Sequence, residues 1–231
     1  MKSYAIVARN PDSLINIKSQ FTDFEYAEKS PDFVVSIGGD GTYLLAEQIY
    51  PGVPKLIIKT KSACQSCSQG DYYHLVSPLL RKEFSVENHC KLKADLSHAR
   101  MVCTNDFAIR NKFPTHAIRF NIFVNGQQLG KMLIGDGIVV ATPFGSTAYY
   151  HSITRKSFQT GIGIAFNNTT TPVDNLVVDE NSEIIFELIR GQAVLAADNN
   201  PNITDLIEGQ SITISKAQEL ARIIKIAGNH G

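Results

Sequence analysis

The segment Gly38-Gly39-Asp40-Gly41-Thr42 combines glycines with one carboxylate, between an apolar stretch and a helix-like stretch. Glycines let backbone N–H groups approach a ligand, and the start of a helix adds unpaired donors that suit a phosphate. A carboxylate among phosphates is repelled unless a metal bridges them or the carboxylate takes a proton from an attacking hydroxyl. The segment therefore predicts a phosphate site in which Asp40 either contacts a bridging metal or accepts a proton. A tight turn in which Asp40 only caps the helix is the alternative.

A second cluster of small, polar and aromatic residues spans residues 135–149, with the sequence GDGIVVATPFGSTAY. Ser146 and Thr147 can form hydrogen bonds to a heterocycle or a ribose, and Tyr149 can stack on a base or bond through its hydroxyl. A polar loop that opens a helix, with Ser146 or Thr147 as the N-cap, explains the same residues. This segment taken alone leaves both interpretations open.

The elements that position the first cluster alternate between strands and helices. Short apolar runs predict buried strands, and apolar residues at helical spacing predict helices between them. An N-cap and a proline mark the start of the first helix at Asn10-Pro11. This order is typical of a parallel sheet with crossover helices. The predicted strands are Tyr4–Ala8, Phe33–Ile37 and Leu56–Ile58, and the second helix is Thr42–Tyr50.

From about residue 84 the apolar residues alternate with a period of two, which predicts strands. The pattern is seen in residues 118–124, 184–188, 193–195, 211–214 and 221–226. Asn125-Gly126 directly after the first of these is a strong hairpin signal. We therefore predict an α/β domain over residues 1–84 and an all-β domain over residues 85–231, whose last residues are free to return to the first domain.

Composition excludes several classes of protein. The 231 residues carry 22 basic and 22 acidic side chains, a formal net charge of zero, so the basic surplus of a simple nucleic-acid binder is missing. No apolar run approaches the roughly 18 residues that cross a bilayer, and we expect a soluble, cytoplasmic protein without membrane contact. Four cysteines in a chain of this length are too few for a disulfide framework.

Cys64 and Cys67 form a CxxC motif that suggests two kinds of chemistry. With Cys90, His89 or His74 they supply enough ligands for zinc, and alone they suit a redox dithiol. Since no second CxxC follows, we favour two incidental small residues in a loop.

GGDGT after a strand, the pair Asn105-Asp106, and then GDG and TPFGSTAY resemble, in this order, the NAD kinases. That family shares a superfamily with diacylglycerol and sphingosine kinases and, more distantly, phosphofructokinases. GGDGT is common to the lipid kinases, whereas TPFGSTAY is more specific for NAD kinases. The resemblance extends over residues 33–200 and implies an α/β domain followed by a β-sandwich domain.

The resemblance also implies roles for individual residues. Asp40 would activate the 2′-hydroxyl of the adenosine ribose, and Asp136 would reach the nicotinamide side. Asp198 stands where the family has an aspartate at a strand end. The remaining implied contacts are phosphate binding by Gly38, Gly39, Gly41 and Thr42, adenosine binding by Asn105 and Asp106, and dinucleotide binding by Ser146, Thr147, Ala148 and Tyr149.

The chain departs from the family pattern in four places. Asp106 stands where the family has a glutamate, which keeps the charge but shortens the side chain by one methylene. Residues 60–67 lack the family's glycines and its Leu-Gly-Phe, Thr154-Arg155 replaces a glycine pair, and Ile134 replaces the arginine before GDG. Tyr72 or Tyr73 is a candidate replacement for the missing aromatic. These changes affect the substrate site and leave the phosphoryl-transfer motif intact.

The resulting prediction is an NAD kinase-like enzyme that transfers a phosphoryl group from ATP or polyphosphate to the 2′-hydroxyl of NAD, with Mg²⁺ or another divalent metal. One alternative is a kinase of another nucleoside, dinucleotide or lipid. Another is an NAD(H)- or ATP-binding module without catalysis. Family resemblance further implies a homodimer or homotetramer.

Overall fold

The structure is a computed structural model that describes residues 1–59, 72–97 and 99–226. It divides into two compact units, one formed by residues 1–89 with the chain from Leu220 onward, the other by Cys90–Glu219. The division thus falls after residue 89, where the sequence predicts a boundary after residue 84. None of the helices within these described ranges is both long and apolar enough to cross a bilayer.

The first unit contains a parallel sheet with helices between its strands. In the sheet β2, β1, β3 and β4 are neighbours in that order, and Ile223 of the last strand pairs in parallel with Lys55 at the open side of β4. The α/β architecture predicted for this region is confirmed. Its elements are β1 Ser3–Ala8, α1 Pro11–Gln20, β2 Glu25–Tyr26, β3 Phe33–Ile37, α2 Asp40–Ile49, β4 Lys55–Ile58, α3 Tyr73–Arg81 and the start of β5 Phe84–Asp95.

Every residue of β3 is buried, because the two faces of a parallel sheet are both covered. One face packs against aromatic side chains of the first unit, among them Tyr4, Phe21 and Phe24. The other face packs against α2 through Ala46. The buried strand β3 therefore positions the glycine-rich segment at the start of α2.

The second unit consists of antiparallel strands in two sheets, and the predicted β-sandwich is confirmed. One sheet has the order β13-β12-β11-β7-β15-β16, and the other contains β10, β8, β14 and the first part of β17. The elements of this unit are β6 Arg100–Cys103, β7 Asp106–Asn111, β8 Ile118–Val124, β9 Gln127–Gln128, β10 Leu133–Gly135, β11 Gly137–Ala141, a 3₁₀ turn at Phe144–Thr147, α4 Tyr149–Thr154, β12 Ile162–Asn167, β13 Leu176–Val178, β14 Ile184–Arg190, β15 Ala193–Ala197, β16 Thr204–Leu206 and β17 Ser211–Ile226.

The inward side chains of the second unit form one core, in which Phe120 stacks on Phe186 at 5.2 Å. The predicted hairpin at Asn125-Gly126 is confirmed, with positive φ at both residues between β8 and β9. The prediction of two separate strands at 211–214 and 221–226 is wrong, because β17 is continuous from Ser211 to Ile226. Its alternation of buried and exposed residues is interrupted at Ala217, which conceals the continuity in the sequence.

Candidate active site

The glycine-rich segment joins the end of β3 to the first turn of α2. Gly38 has φ +148°, and a Cβ there would lie 2.3 Å from the Thr42 hydroxyl oxygen, so only glycine fits. Gly39 is the N-cap of α2 and has an ordinary φ of −89°. A Cβ at Gly39 meets no atom of the described chain within 4 Å. Open space next to the N–H groups of a helix start is suited to a phosphate.

Asp40 is the first residue of α2 and its side chain is exposed. The N-cap of α2 is Gly39, and no side chain caps this helix, so the alternative in which Asp40 serves as the cap is wrong. Within the described ranges no hydrogen bond or ion pair occupies its carboxylate. By contrast, the Thr42 side chain is buried, and its backbone N–H donates to the carbonyl of Gly39 at 2.9 Å.

In the second unit, the segment 104–106 before β7 is held by the turn that follows β11. The backbone N–H of Thr142 donates to the carbonyl of Asn105 at 2.8 Å, and its hydroxyl donates to the carbonyl of Thr104 at 2.7 Å. The Thr142 hydroxyl also accepts a hydrogen bond from the N–H of Gly145 at 3.0 Å. A Cβ at Gly145 would lie only 2.1 Å from the Asn105 carbonyl oxygen. Thr142 and Gly145 of TPFGSTAY therefore shape the Asn105-Asp106 segment.

Asp198 holds the same segment from the end of β15. Its carboxylate accepts hydrogen bonds from the backbone N–H groups of Thr104 at 2.9 Å, Asn105 at 2.7 Å and Asp106 at 3.3 Å. Asp198 itself has φ +51°, a left-handed conformation that aspartate tolerates better than most residues. Asp198 is thus occupied by the backbone of the segment that carries Asn105 and Asp106.

Asp106 is a buried carboxyl with 7% of its surface exposed. Burial, and then repulsion from the Asp198 carboxylate, raise the pKa of Asp106 to about 7, although a hydrogen bond from the backbone of Tyr149 lowers it. Burial also raises the pKa of Asp198, against the lowering effect of its three backbone hydrogen bonds and of Lys91. Such shifts are common where titratable groups serve a function.

Asn105 is 9% exposed, and its side-chain oxygen is buried without a hydrogen-bond partner in the described part of the chain. An unsatisfied buried acceptor costs about 1–3 kcal/mol, so its presence calls for an explanation. A ligand that donates a hydrogen bond to this oxygen is one such explanation.

The residues Ser146–Tyr149 differ in what they offer a ligand. The Ser146 side chain is buried, and its hydroxyl donates to the carbonyl of Phe158 at 3.1 Å. Thr147 and Ala148 are exposed, and the hydroxyl of the half-buried Tyr149 accepts a hydrogen bond from Asn167 at 3.3 Å. Neither Ser146 nor Thr147 caps α4, whose N-cap is Ala148 without a side-chain cap.

Asp136 lies between β10 and β11 and is bracketed by two amides. Its carboxylate accepts hydrogen bonds from Asn111 at 3.4 Å and Asn168 at 3.2 Å. The flanking glycines are required by close packing, because a Cβ at Gly137 would lie 1.9 Å from the carbonyl oxygen of Ile109. The GDG motif therefore holds Asp136 at a fixed place beside β7.

Apart from Asp136, the predicted site residues fall into one group in each unit. Gly38–Thr42 lie together in the first unit, and Asn105, Asp106, Asp198 and Ser146–Tyr149 lie around one segment in the second. Sequence reasoning missed the structural partners Thr142, Lys91, Asn111, Asn167 and Asn168. Of these, only Thr142 had a signal, because it belongs to TPFGSTAY.

Other predicted features lie apart from these groups or outside the described ranges. Cys64 and Cys67 fall in residues 60–71, outside the described residues, so the zinc and redox interpretations remain predictions. Tyr72 packs partly buried against the core of the first unit. Within the described ranges no group of three or more His, Cys, Asp or Glu residues could hold a metal ion.

Comparison with known proteins finds a family of the same architecture. The family model of the ATP-NAD kinase C-terminal domain matches residues 104–226. An NAD kinase from Sulfurisphaera tokodaii is 27% identical over 241 residues, which cover 97% of this chain and 95% of that protein.

Two solved structures share the fold. The crystal structure of an NAD kinase from Archaeoglobus fulgidus in complex with ATP has a TM-score of 0.80 at 21% identity, covering 98% of this chain and 94% of that one. The crystal structure of yeast NADH kinase complexed with NADH has a TM-score of 0.83 at 16% identity, covering 99% of this chain and 84% of that one.

Proposed function

The chain belongs to the NAD kinase family, as the sequence predicts, and we propose that it transfers the γ-phosphoryl group of ATP to the 2′-hydroxyl of NAD. The products are NADP and ADP. The relative from Sulfurisphaera tokodaii, similar over nearly its whole length, carries the name NAD kinase. The observation that supports the chemistry most directly is the exposed carboxylate of Asp40 at the start of α2, which has no partner among the described residues and lies beside space that these residues leave open at Gly39.

We assign the phosphoryl donor to the first unit. The N–H groups of the first turn of α2 and the positive end of its dipole favour the negative charge of ATP phosphates. A side chain at Gly39 would extend into the space these phosphates need, although the described chain leaves that space free. Glycine at this position therefore leaves the space open for the phosphates.

Asp40 is proposed as the general base of the reaction. The 2′-oxygen attacks the γ-phosphorus, the bond to the β-γ bridging oxygen breaks, and the hydroxyl proton passes to the Asp40 carboxylate. Because the Asp40 carboxylate has no intramolecular partner in the described ranges, it is available to accept this proton. General-base catalysis of this kind contributes about 10²- to 10⁴-fold.

The acceptor is assigned to the second unit. Asn105 and Asp106 present an unpartnered amide oxygen and a buried carboxyl, both of which can accept hydrogen bonds from the hydroxyl or amino groups of adenosine. Thr147, Ala148 and Tyr149 lie at the turn whose backbone contacts Asp106. Asp136 is kept as a proposed contact on the nicotinamide side.

A divalent cation, Mg²⁺ by preference, is proposed to enter with ATP. It would be held by the oxygens of the ATP phosphates, so that the exposed carboxylate of Asp40 keeps its role as the base. When bound, the cation neutralises charge on the transferred group. From the family resemblance we further propose a cytoplasmic location, polyphosphate as another phosphoryl donor, and assembly into a homodimer or homotetramer.

The test is NADP formation from NAD, ATP and Mg²⁺, read with an NADP-specific dehydrogenase, for wild type and Asp40→Asn. We expect the substitution to lower kcat by about 10²- to 10⁴-fold, while NAD still raises the melting temperature. Asp23→Asn, an exposed aspartate of the same unit, is the matched control and should keep the wild-type rate. A near-wild-type rate for Asp40→Asn would refute its role as base. An NAD-stabilised wild type that forms no NADP would refute the kinase assignment.

A further inference from the structure

Three ionisable groups lie close together at the Asn105-Asp106 segment, of which Asp106 and Lys91 are buried and Asp198 is partly buried. Asp106 is 7% exposed, Asp198 lies at the end of β15, and Lys91 of β5 is 4% exposed. The charge of Lys91 acts on both Asp198 and the Cys103 thiol. Within the described residues, the cluster thus contains two carboxyl groups and one ammonium group, so the carboxyl groups outnumber the ammonium group by one.

The two carboxyl groups have different partners. Asp198 accepts three backbone N–H groups and is attracted by Lys91, all of which stabilise its ionised form. Asp106 accepts one backbone hydrogen bond, from Tyr149, and is repelled by Asp198. The ionised carboxylate is therefore Asp198, and the remaining proton belongs on Asp106.

Among the described residues, the other groups around Asp106 do not supply a compensating charge. Burial raises the pKa of the Cys103 thiol well above its usual value, so that thiol stays neutral. Thr142, which is fully buried, offers only a hydroxyl, and that hydroxyl is used between the Thr104 carbonyl and Gly145. In the absence of a ligand, the buried cluster is electrically balanced when Asp106 is protonated.

We propose that Asp198 is a positioning residue that fixes the Asn105-Asp106 segment, and that its charge keeps Asp106 protonated until NAD binds, so that binding of NAD releases a proton. This proposal rests on the assignment of NAD to this segment. A ribose hydroxyl or an adenine amino group that donates to Asp106 takes the place of the proton, because hydrogen bonds to a carboxylate favour its ionised form. The Asp106 proton passes to solvent, and no covalent bond changes.

The test is isothermal titration calorimetry of the full chain with NAD, without ATP, in buffers that differ in ionisation enthalpy. The slope of apparent enthalpy against ionisation enthalpy gives the protons released per NAD. A carboxyl with a pKa of about 7 that ionises on binding releases about 0.9 proton at pH 6 and about 0.1 at pH 8. The dissociation constant for NAD should correspondingly be about tenfold lower at pH 8 than at pH 6.

Three variants separate the roles of the charges. Asp106→Asn should abolish proton release at all pH values, since the titrating group is gone. Asp198→Asn keeps the side-chain size but removes the repelling charge, so the pH of half-maximal release should move lower by about one unit or more. Asp205→Asn is the matched control, because Asp205 is exposed on β16 and pairs only with the surface Lys112 within the described chain.

A purely structural role for Asp198 would weaken binding without moving the pH of half-maximal release, and that result would overturn the proposal. Equal proton release from Asp106→Asn and wild type would overturn it as well. If Asp198→Asn fails to fold, comparison of proton release by the wild type and by Asp106→Asn still tests whether Asp106 carries the released proton. The absence of any NAD binding would refute the proposed function itself, whereas NAD binding without proton release would refute only this inference.

Discussion

Substitution of Gly145 by alanine tests whether the Asn105-Asp106 segment belongs to the NAD site. A Cβ at Gly145 would lie 2.1, 2.4 and 2.5 Å from the oxygen, carbonyl carbon and Cα of Asn105. An ordinary contact needs about 3.4 Å, so the two backbones must separate by about 1.3 Å. The conformation of Gly145 lies outside the positive-φ range, and the substitution therefore tests the contact alone.

The displaced segment cannot move without loss of other bonds. Asn105 is fixed from one side by Thr142 at 2.8 Å and from the other by Asp198 at 2.7 Å. Misplacement of a binding group by about 1 Å can cost about 100-fold, and overpacking costs about 1–3 kcal/mol of stability. We expect Gly145→Ala to lower kcat/KM for NAD by about 100-fold, mostly through KM, in the NADP-formation assay.

Gly209→Ala is the control for the loss of stability. Gly209 has φ +86° and open space around its Cβ position, so alanine there costs about 1–2 kcal/mol of backbone strain without moving Asn105. Its KM for NAD should equal that of the wild type at a lowered melting temperature. A KM of Gly145→Ala within about threefold of wild type would show that NAD does not depend on this segment, and would refute the reasoning.

Two further substitutions probe the first unit. Gly39→Ser should retain or slightly raise the melting temperature, because serine is a good N-cap and has space there, yet NADP formation should fall at least tenfold as the side chain meets the ATP phosphates; full activity would place the phosphates elsewhere. Glu47→Gln should lower the unfolding free energy by about 3–5 kcal/mol in denaturant titrations, because it removes the counter-charge of Lys55, which is completely buried. A loss below about 1 kcal/mol would contradict a charged pair.

The distribution of apolar and polar residues along the chain predicted much of the fold. Buried parallel strands such as Phe33–Ile37 are continuous apolar runs, and half-buried strands such as Ile118–Val124 alternate. Both patterns depend on neighbouring residues, so the sequence contains them. The helix α3 was not predicted, because it is short and contains Pro78. The continuous β17 was missed because its buried residues change phase at Ala217.

The candidate site divides in the same way between local and distant information. The glycine-rich segment could be predicted from the sequence, because a strand, the glycines, an acid and a helix follow each other within a few residues. The hydrogen bonds that hold the Asn105-Asp106 segment could not be predicted in this way. They join Thr104 to Thr142 and to Asp198, which are 38 and 94 positions away in the chain.

The amino-acid sequence identifies which residues can perform the chemistry, because GGDGT and TPFGSTAY specify the functional groups and the turns that present them. How those groups act on one another depends on the tertiary structure. The Ser146 hydroxyl and the Asp198 carboxylate form hydrogen bonds with backbone groups of the protein. Asp40, by contrast, is exposed, and its carboxylate has no partner in the described chain. The physical reason is that burial, hydrogen bonding and the field of nearby charges depend on distances in space, which pairing of distant strands creates.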